Sequence, residues 1–213
     1  LQAGPDAAEV LVERAQEVGA RILFEGNDFG VTARDVAVGG QLISVRGTAA
    51  DYPDLFVPLH GGHQAQDAAV AIAAVESFLG GGEQPLDIEV LRAGLAAATS
   101  PGRLEIVRRS PTVLVDAAHN PAGVRALCEA LSDSFTFAHL VGVLAVMKDK
   151  DAGEMLEILE PALDEVVVTR NSSPRSMSAR ALAAVATEIF GEHRVTVVED
   201  LPDALDQAAA LAD

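Results

Sequence analysis

Asp116, His119 and Asn120 lie close together, after the apolar run Val113-Leu114-Val115 and before Pro121. A carboxylate, an imidazole and an amide in that span can accept hydroxyls, carry a proton and orient a small polar ligand. The β-branched run reads as a buried strand too short to be a helix. Pro121 opens an Ala-rich helical stretch, as a first-turn proline does. Strand, acid, turn and helix make the layout of a nucleotide site in an open α/β sheet. There, ligands lie outside the carboxyl ends of strands and an aspartate can grip a ribose. Taken alone, Asp116 serves equally well as a cap for the following turn, and Asn120 before proline is also a turn signal.

Other side chains have chemistry to offer. Arg103, after Pro101-Gly102, has a fork that matches phosphate oxygens, or it pairs with Glu105 at the surface. His63, Gln64 and Asp67 share one face of a helix and either line a pocket near its amino end or act as polar caps. The pair His60 and His63 has no third ligand nearby and makes a poor metal site, so no metal ligand is assigned. Lys148-Asp149-Lys150-Asp151 and residues 169–175 each follow a strand-like run and can border a ligand or form solvated loops. No GxxxxGK[ST] and no GxGxxG occurs, so the chain by itself lacks a phosphate cradle.

The elements that must position these residues fall into two patterns. Residues 6–18 have a helical period, 21–26 read as a strand, and 31–47 as two strands around Gly39-Gly40. Residues 54–59 form another strand. A helix with an apolar stripe through Ala69, Ile72, Ala73, Val75 and Phe78 ends at Gly80-Gly81-Gly82, and a further helix is capped by Asp87. Thr99-Ser100-Pro101-Gly102 marks a boundary between domains at 1–100 and 101–213. Beyond it, strands near 104–108, 112–116, 138–144, 165–169 and 194–198 alternate with helices at 121–132, 152–162, 179–190 and 202–212. That alternation predicts an α/β fold with parallel βαβ units and a Rossmann-like, mostly parallel sheet.

The net charge of −17 argues against nonspecific binding to nucleic acid or an anionic membrane. No apolar run is long enough to span a bilayer, and no signal peptide is visible. The single cysteine, Cys128, excludes a disulfide framework and suits a reducing cytoplasm. The chain starts without Met in helix-like sequence, which reads as a fragment.

Taken together, PLHGGHQAQDAAVAIAAVE at 58–76, SPGRLE at 100–105, DAAHNPAG at 116–123 and the later DKD at 149–151 resemble one family, in the right order along essentially the whole chain. It is the bacterial folylpolyglutamate synthases, often bifunctional with dihydrofolate synthase, within the Mur ligase superfamily. The resemblance implies that residues 1–100 are the tail of a central P-loop ATPase domain and 101–213 a Mur-type C-terminal domain. It implies ATP and Mg²⁺, with the metal ligands outside this chain. The substrates would be folate or dihydropteroate and L-glutamate, joined through an acyl phosphate by a cytoplasmic monomer. By the same pattern Arg103 reaches the ATP phosphates, Asp116 holds the ribose, and His119, with Asn120, helps place glutamate. His63, Gln64 and Asp67 fall on the nucleotide side. The family has Asn where this chain has Asp67, and Asp accepts but cannot donate, so a direct adenine contact there would change or pass through water. The alternatives are a Mur-type amino-acid ligase of peptidoglycan synthesis and a non-catalytic Rossmann-like binding module. The chain alone is expected to be inactive.

Overall fold

The computed structural model describes residues 5–212. It divides between Ser100 and Pro101 into two compact units.

In the first unit, β1 (Gly30–Ala37), β2 (Gly40–Arg46) and β3 (Asp51–Val57) form an antiparallel sheet in that order. Val38 and Gly39 make the first hairpin turn, with Gly39 at φ 79°, while Gly40 already belongs to β2. The helices are α1 (Pro5–Val18), α2 (Gly62–Gly80) and α3 (Ile88–Ala96). Ile43, Val45, Leu55 and Val57 of the sheet pack on Ala65, Ala68, Ala69, Ile72 and Ala73 of α2, whose small side chains let the helix lie close. Residues 21–24 form no strand. The chain instead closes a turn in which Phe24 N–H donates to Asp28 at 2.7 Å and Gly26 N–H to Phe29 O at 2.8 Å.

The stripe expected on α2 is half corrected. Val75 and Phe78 are 43% and 88% exposed, and the buried arc continues from Ala73 to Glu76. Helical spacing of three and four residues from Ala65 leads to that position rather than to 75 or 78. Glu76 is fully buried, and its carboxylate accepts from Thr48 N–H, Thr48 Oγ1–H, Ala49 N–H and Tyr52 O–H at 2.6–3.2 Å. A buried carboxylate persists only when so fully engaged. Gly47 lets the loop approach, because a Cβ there would lie 2.6 Å from a Glu76 oxygen.

The second unit begins with β4 (Glu105–Arg109), β5 (Thr112–Val115) and α4 (Pro121–Ser134). It continues as β6 (Val141–Leu144), α5 (Ala152–Leu159), β7 (Glu165–Val168), α6 (Ala179–Phe190), β8 (Val195–Val197) and α7 (Leu201–Ala212). Strands β6, β7 and β8 are parallel with β7 central. Alternation along β7 serves both faces. Val166 and Val168 join Val124, Leu156, Leu182 and Phe190 of α4, α5 and α6, while Val167 joins Ala204 and Ala208 of α7.

The strand before Asp116 departs from the expected parallel set. β4 and β5 pair with each other, antiparallel. Only Ser110 and Pro111 separate them, and so short a link allows a hairpin but not the crossover that parallel pairing requires. Leu104, at the foot of the hairpin, packs on Ala130 and Leu131 of α4. Among the described residues no helix is long and apolar enough to cross a membrane.

Candidate functional site

The side chains that follow β5 are organised around Asp116. Its Oδ1 accepts from Ala118 N–H at 2.8 Å and its Oδ2 from Leu104 N–H at 2.9 Å. The first bond caps the turn after β5. The second reaches back to the chain preceding β4, where Ala117 N–H also donates to Gly102 O at 2.8 Å. Leu104 has φ 45°, a left-handed conformation that costs a non-glycine residue about 1–2 kcal/mol. Two anchors hold it there: the side chain, 3% exposed, in the α4 core, and the amide on Asp116. Each carboxylate oxygen keeps a lone pair for a further donor.

Arg103 lies immediately before that residue. It is exposed, and its guanidinium makes no hydrogen bond or ion pair among the described residues. Glu105, the neighbour most able to quench it, instead accepts from Gly102 N–H at 2.8 Å. An unpaired guanidinium on a fixed backbone suits a planar anion such as phosphate.

His119 and Asn120 are both exposed. His119 Nδ1 lies 3.0 Å from Ala117 O. A carbonyl only accepts, so Nδ1 carries the proton in this contact and Nε2 is left as an acceptor when the ring is neutral. Asn120 is the N-cap of α4, its Oδ1 accepting from Gly123 N–H at 2.7 Å. Its amide donors remain available. Asp116, His119 and Asn120 therefore share one rim, with Arg103 bound to it through the Leu104 and Gly102 hydrogen bonds.

His63, Gln64 and Asp67 belong to the first unit, on the opening turns of α2. The residue before that helix, Gly61, offers no side-chain cap. Gln64 is buried and its Nε2 lies 3.1 Å from His63 Nε2, while Asp67 is exposed. Burial lowers the pKa of His60. Sequence reasoning missed Gln41, which fixes this end of the helix. It is 1% exposed, its amide nitrogen donates to Leu59 O and Gly61 O at 2.9 and 3.0 Å, and Arg34 Nε donates to its oxygen.

The loops after β6, β7 and β8 border a recess of about 470 Å³ that includes Lys148, Arg170, Asn171, Ser178 and Glu199. Asp149 and Arg175 join the first two loops at 2.8 Å, and the guanidinium holds the Asp149 carboxyl below its ordinary pKa. Asp151 caps α5 and Ser178 caps α6. Arg170, Ser178 and Glu199 became visible as a group only once the strand order was known. Among the described residues no three carboxylate, imidazole or thiol groups converge as a metal site.

An α/β unit with its polar loops gathered at the carboxyl ends of parallel strands defines a class of protein that binds small ligands at that edge. The chain belongs to the Mur ligase, glutamate ligase domain family, whose model matches residues 102–213. It is similar to the dihydrofolate synthase/folylpolyglutamate synthase of Mycobacterium tuberculosis, at 49% identity over 98% of this chain and 43% of that protein. Among solved structures, Mycobacterium tuberculosis folylpolyglutamate synthase complexed with ADP matches at a TM-score of 0.94 and 49% identity, over 97% of this chain and 46% of that one. E. coli FolC in complex with DHPP and ADP matches at a TM-score of 0.81 and 25% identity, over 96% of this chain and 45% of that one. The chain thus spans less than half the length of these relatives.

Proposed function

We propose that this chain forms part of an ATP-dependent ligase, a cytoplasmic monomer, that joins L-glutamate to a pteroyl substrate, folate or dihydropteroate. In this reading residues 1–100 are the tail of a P-loop ATPase domain. Residues 101–213 supply groups that act on the nucleotide and on the incoming amino acid. ATP supplies the phosphoryl group that turns the substrate carboxylate into an acyl phosphate, and the glutamate amine then displaces phosphate to leave an amide. The observation that carries the reading is Arg103: exposed, unpaired and mounted on a backbone that Asp116 and Ala117 tie down.

Each residue has a defined task in this reaction. Arg103 binds the transferring phosphate and offsets the charge that builds on it. Asp116 uses its remaining lone pairs for the ribose hydroxyls. By the family resemblance, His63, Gln64 and Asp67 of the first unit are given a nucleotide base, Asp67 accepting from an amino group or a water. His119 Nε2 accepts from the glutamate ammonium, and the Asn120 amide donates to a glutamate carboxylate. The recess after β6–β8 carries charges of both signs, Lys148 and Arg170 beside Glu199. Magnesium would be held outside this chain.

The reading is tested by phosphate release and product formation in the whole protein, with folate, dihydropteroate and a nucleotide-linked muramyl peptide offered in parallel, each with and without L-glutamate. Turnover that needs a pteroyl substrate together with glutamate is expected. Turnover with the muramyl substrate alone would assign the chain to a peptidoglycan ligase. No turnover with any of the three would leave a binding module.

A further inference from the structure

We propose that Asp116 is a positioning residue for Arg103, acting through the Leu104 amide, in addition to any contact it makes with nucleotide. The inference rests on the phosphate role given to Arg103 above. Its basis is the order of three residues in the chain. Arg103 is exposed, Leu104 is held left-handed at φ 45°, and Asp116 Oδ2 accepts from the amide between them at 2.9 Å.

A left-handed residue gives the backbone a local bend that the common regions do not. The path of the backbone at 103–104 therefore sets where the guanidinium can reach. Leucine does not hold that conformation by preference. Packing of its side chain against Ala130 and Leu131 fixes one end of the residue, and the carboxylate fixes the other. Ala117 N–H on Gly102 O closes a second bond across the same gap, so residues 102–104 and 116–118 form one braced unit. Without the carboxylate, Leu104 N–H loses its acceptor and φ is free to relax toward negative values. Arg103 then swings away, although its own chemistry is intact.

A ribose contact and a positioning role separate when the ribose is removed. ATP and inorganic tripolyphosphate are titrated calorimetrically into the whole protein and into its Arg103→Ala, Asp116→Ala and doubly substituted forms. Arg103→Ala should weaken both ligands about tenfold or more, the loss of a charge-assisted contact. Asp116→Ala should also weaken tripolyphosphate, and the double variant should be no weaker for it than Arg103→Ala alone. Asp116→Ala binding tripolyphosphate like wild type while Arg103→Ala does not, or losses that simply add, would overturn the proposal and leave Arg103 its role. Wild-type binding by Arg103→Ala would remove the functional reading itself.

Amide hydrogen exchange on the ligand-free whole protein tests the link apart from any ligand and from folding. Leu104 N–H should exchange faster in Asp116→Ala while α4 and β7 amides keep their protection. Unchanged exchange at Leu104 would also overturn the proposal.

Discussion

Tyr52 and Glu76 share a 2.7 Å hydrogen bond inside the first unit, the phenol donating to a carboxylate that has no exposed surface. The same Tyr52 oxygen accepts from Leu86 N–H at 2.8 Å. One hydroxyl thus links β3, α2 and the approach to α3, and its loss would strand a donor and weaken an acceptor together.

Glu76→Gln should destabilise the chain by about 2–3 kcal/mol, because an amide nitrogen replaces an oxygen that receives two donors. Urea denaturation followed by circular dichroism measures it. A midpoint equal to wild type would show that the carboxylate is dispensable.

Alkaline pH offers a second handle on the same pair. Burial first, then the hydrogen bond to Glu76, holds the Tyr52 phenol above its ordinary value of 10.0. Above that value the unfolded chain has released a proton that the folded chain keeps, so stability falls as pH rises past it and is fully present below it. Tyr52→Phe should lack this component of alkaline loss. Tyr52 is the chain's single tyrosine, so phenolate absorbance reports it directly. Phenolate appearing at the pH of free tyrosine would contradict the assignment.

Arg103→Ala in the whole protein should cut kcat/KM by roughly 100-fold, the scale for removing one donor aimed at developing charge. Its melting temperature should not move, since the side chain is exposed and unpaired. Steady-state ligation beside a thermal melt separates the two effects. Wild-type turnover would remove Arg103 from the site.

Asn120 caps α4, and the proposed function gives its amide a second task that substitution can divide from the first. Asn120→Ala removes the cap of α4 and should cost about 1 kcal/mol of stability. Asn120→Asp keeps the acceptor for Gly123 N–H but loses the amide donors. It should therefore fold like wild type while raising the KM for glutamate. An Asp variant with unchanged kinetics would leave Asn120 as a cap only.

Cys128 is half-buried, and its thiol donates to Ile158 O at 3.6 Å. Burial, helped by the charge of Glu129, raises its pKa and leaves less thiolate at neutral pH. Alkylation by iodoacetamide should run several-fold slower than for free cysteine until urea unfolds the chain. Equal rates would show an open thiol.

How much of this was legible depended on the kind of signal. The alternation of valine runs with alanine-rich helices announced the β6–β8 sheet, Asp87 announced α3 by cap chemistry, and Pro121 announced α4 as a first-turn proline, whereas the cap that Asn120 makes there was read only as a turn. The hairpin was legible in principle, since two residues between β4 and β5 forbid a crossover, but periodicity alone treated both strands as parallel. Glu76 was hidden because an apolar stripe is read from apolar residues, and nothing local tells a buried acid from a solvated one. The Asp116–Leu104 bond was hidden for another reason. The sequence showed Asp116 as a cap or a ligand residue, while its longer reach depends on the hairpin returning the chain beside its own start.

Gln41 extends the reach of the first sheet beyond packing. By gripping the carbonyls of Leu59 and Gly61, it makes the loop before α2 borrow its stiffness from β2. The loop has therefore little freedom to retune itself through its own side chains. The height and tilt of the helix end that carries His63 and Gln64 are set twenty-odd residues upstream, in a strand far from that end in sequence. The placing of that helix end would then answer to changes at position 41 before changes in the loop, so that a core residue sets the tolerance of the surface that follows it.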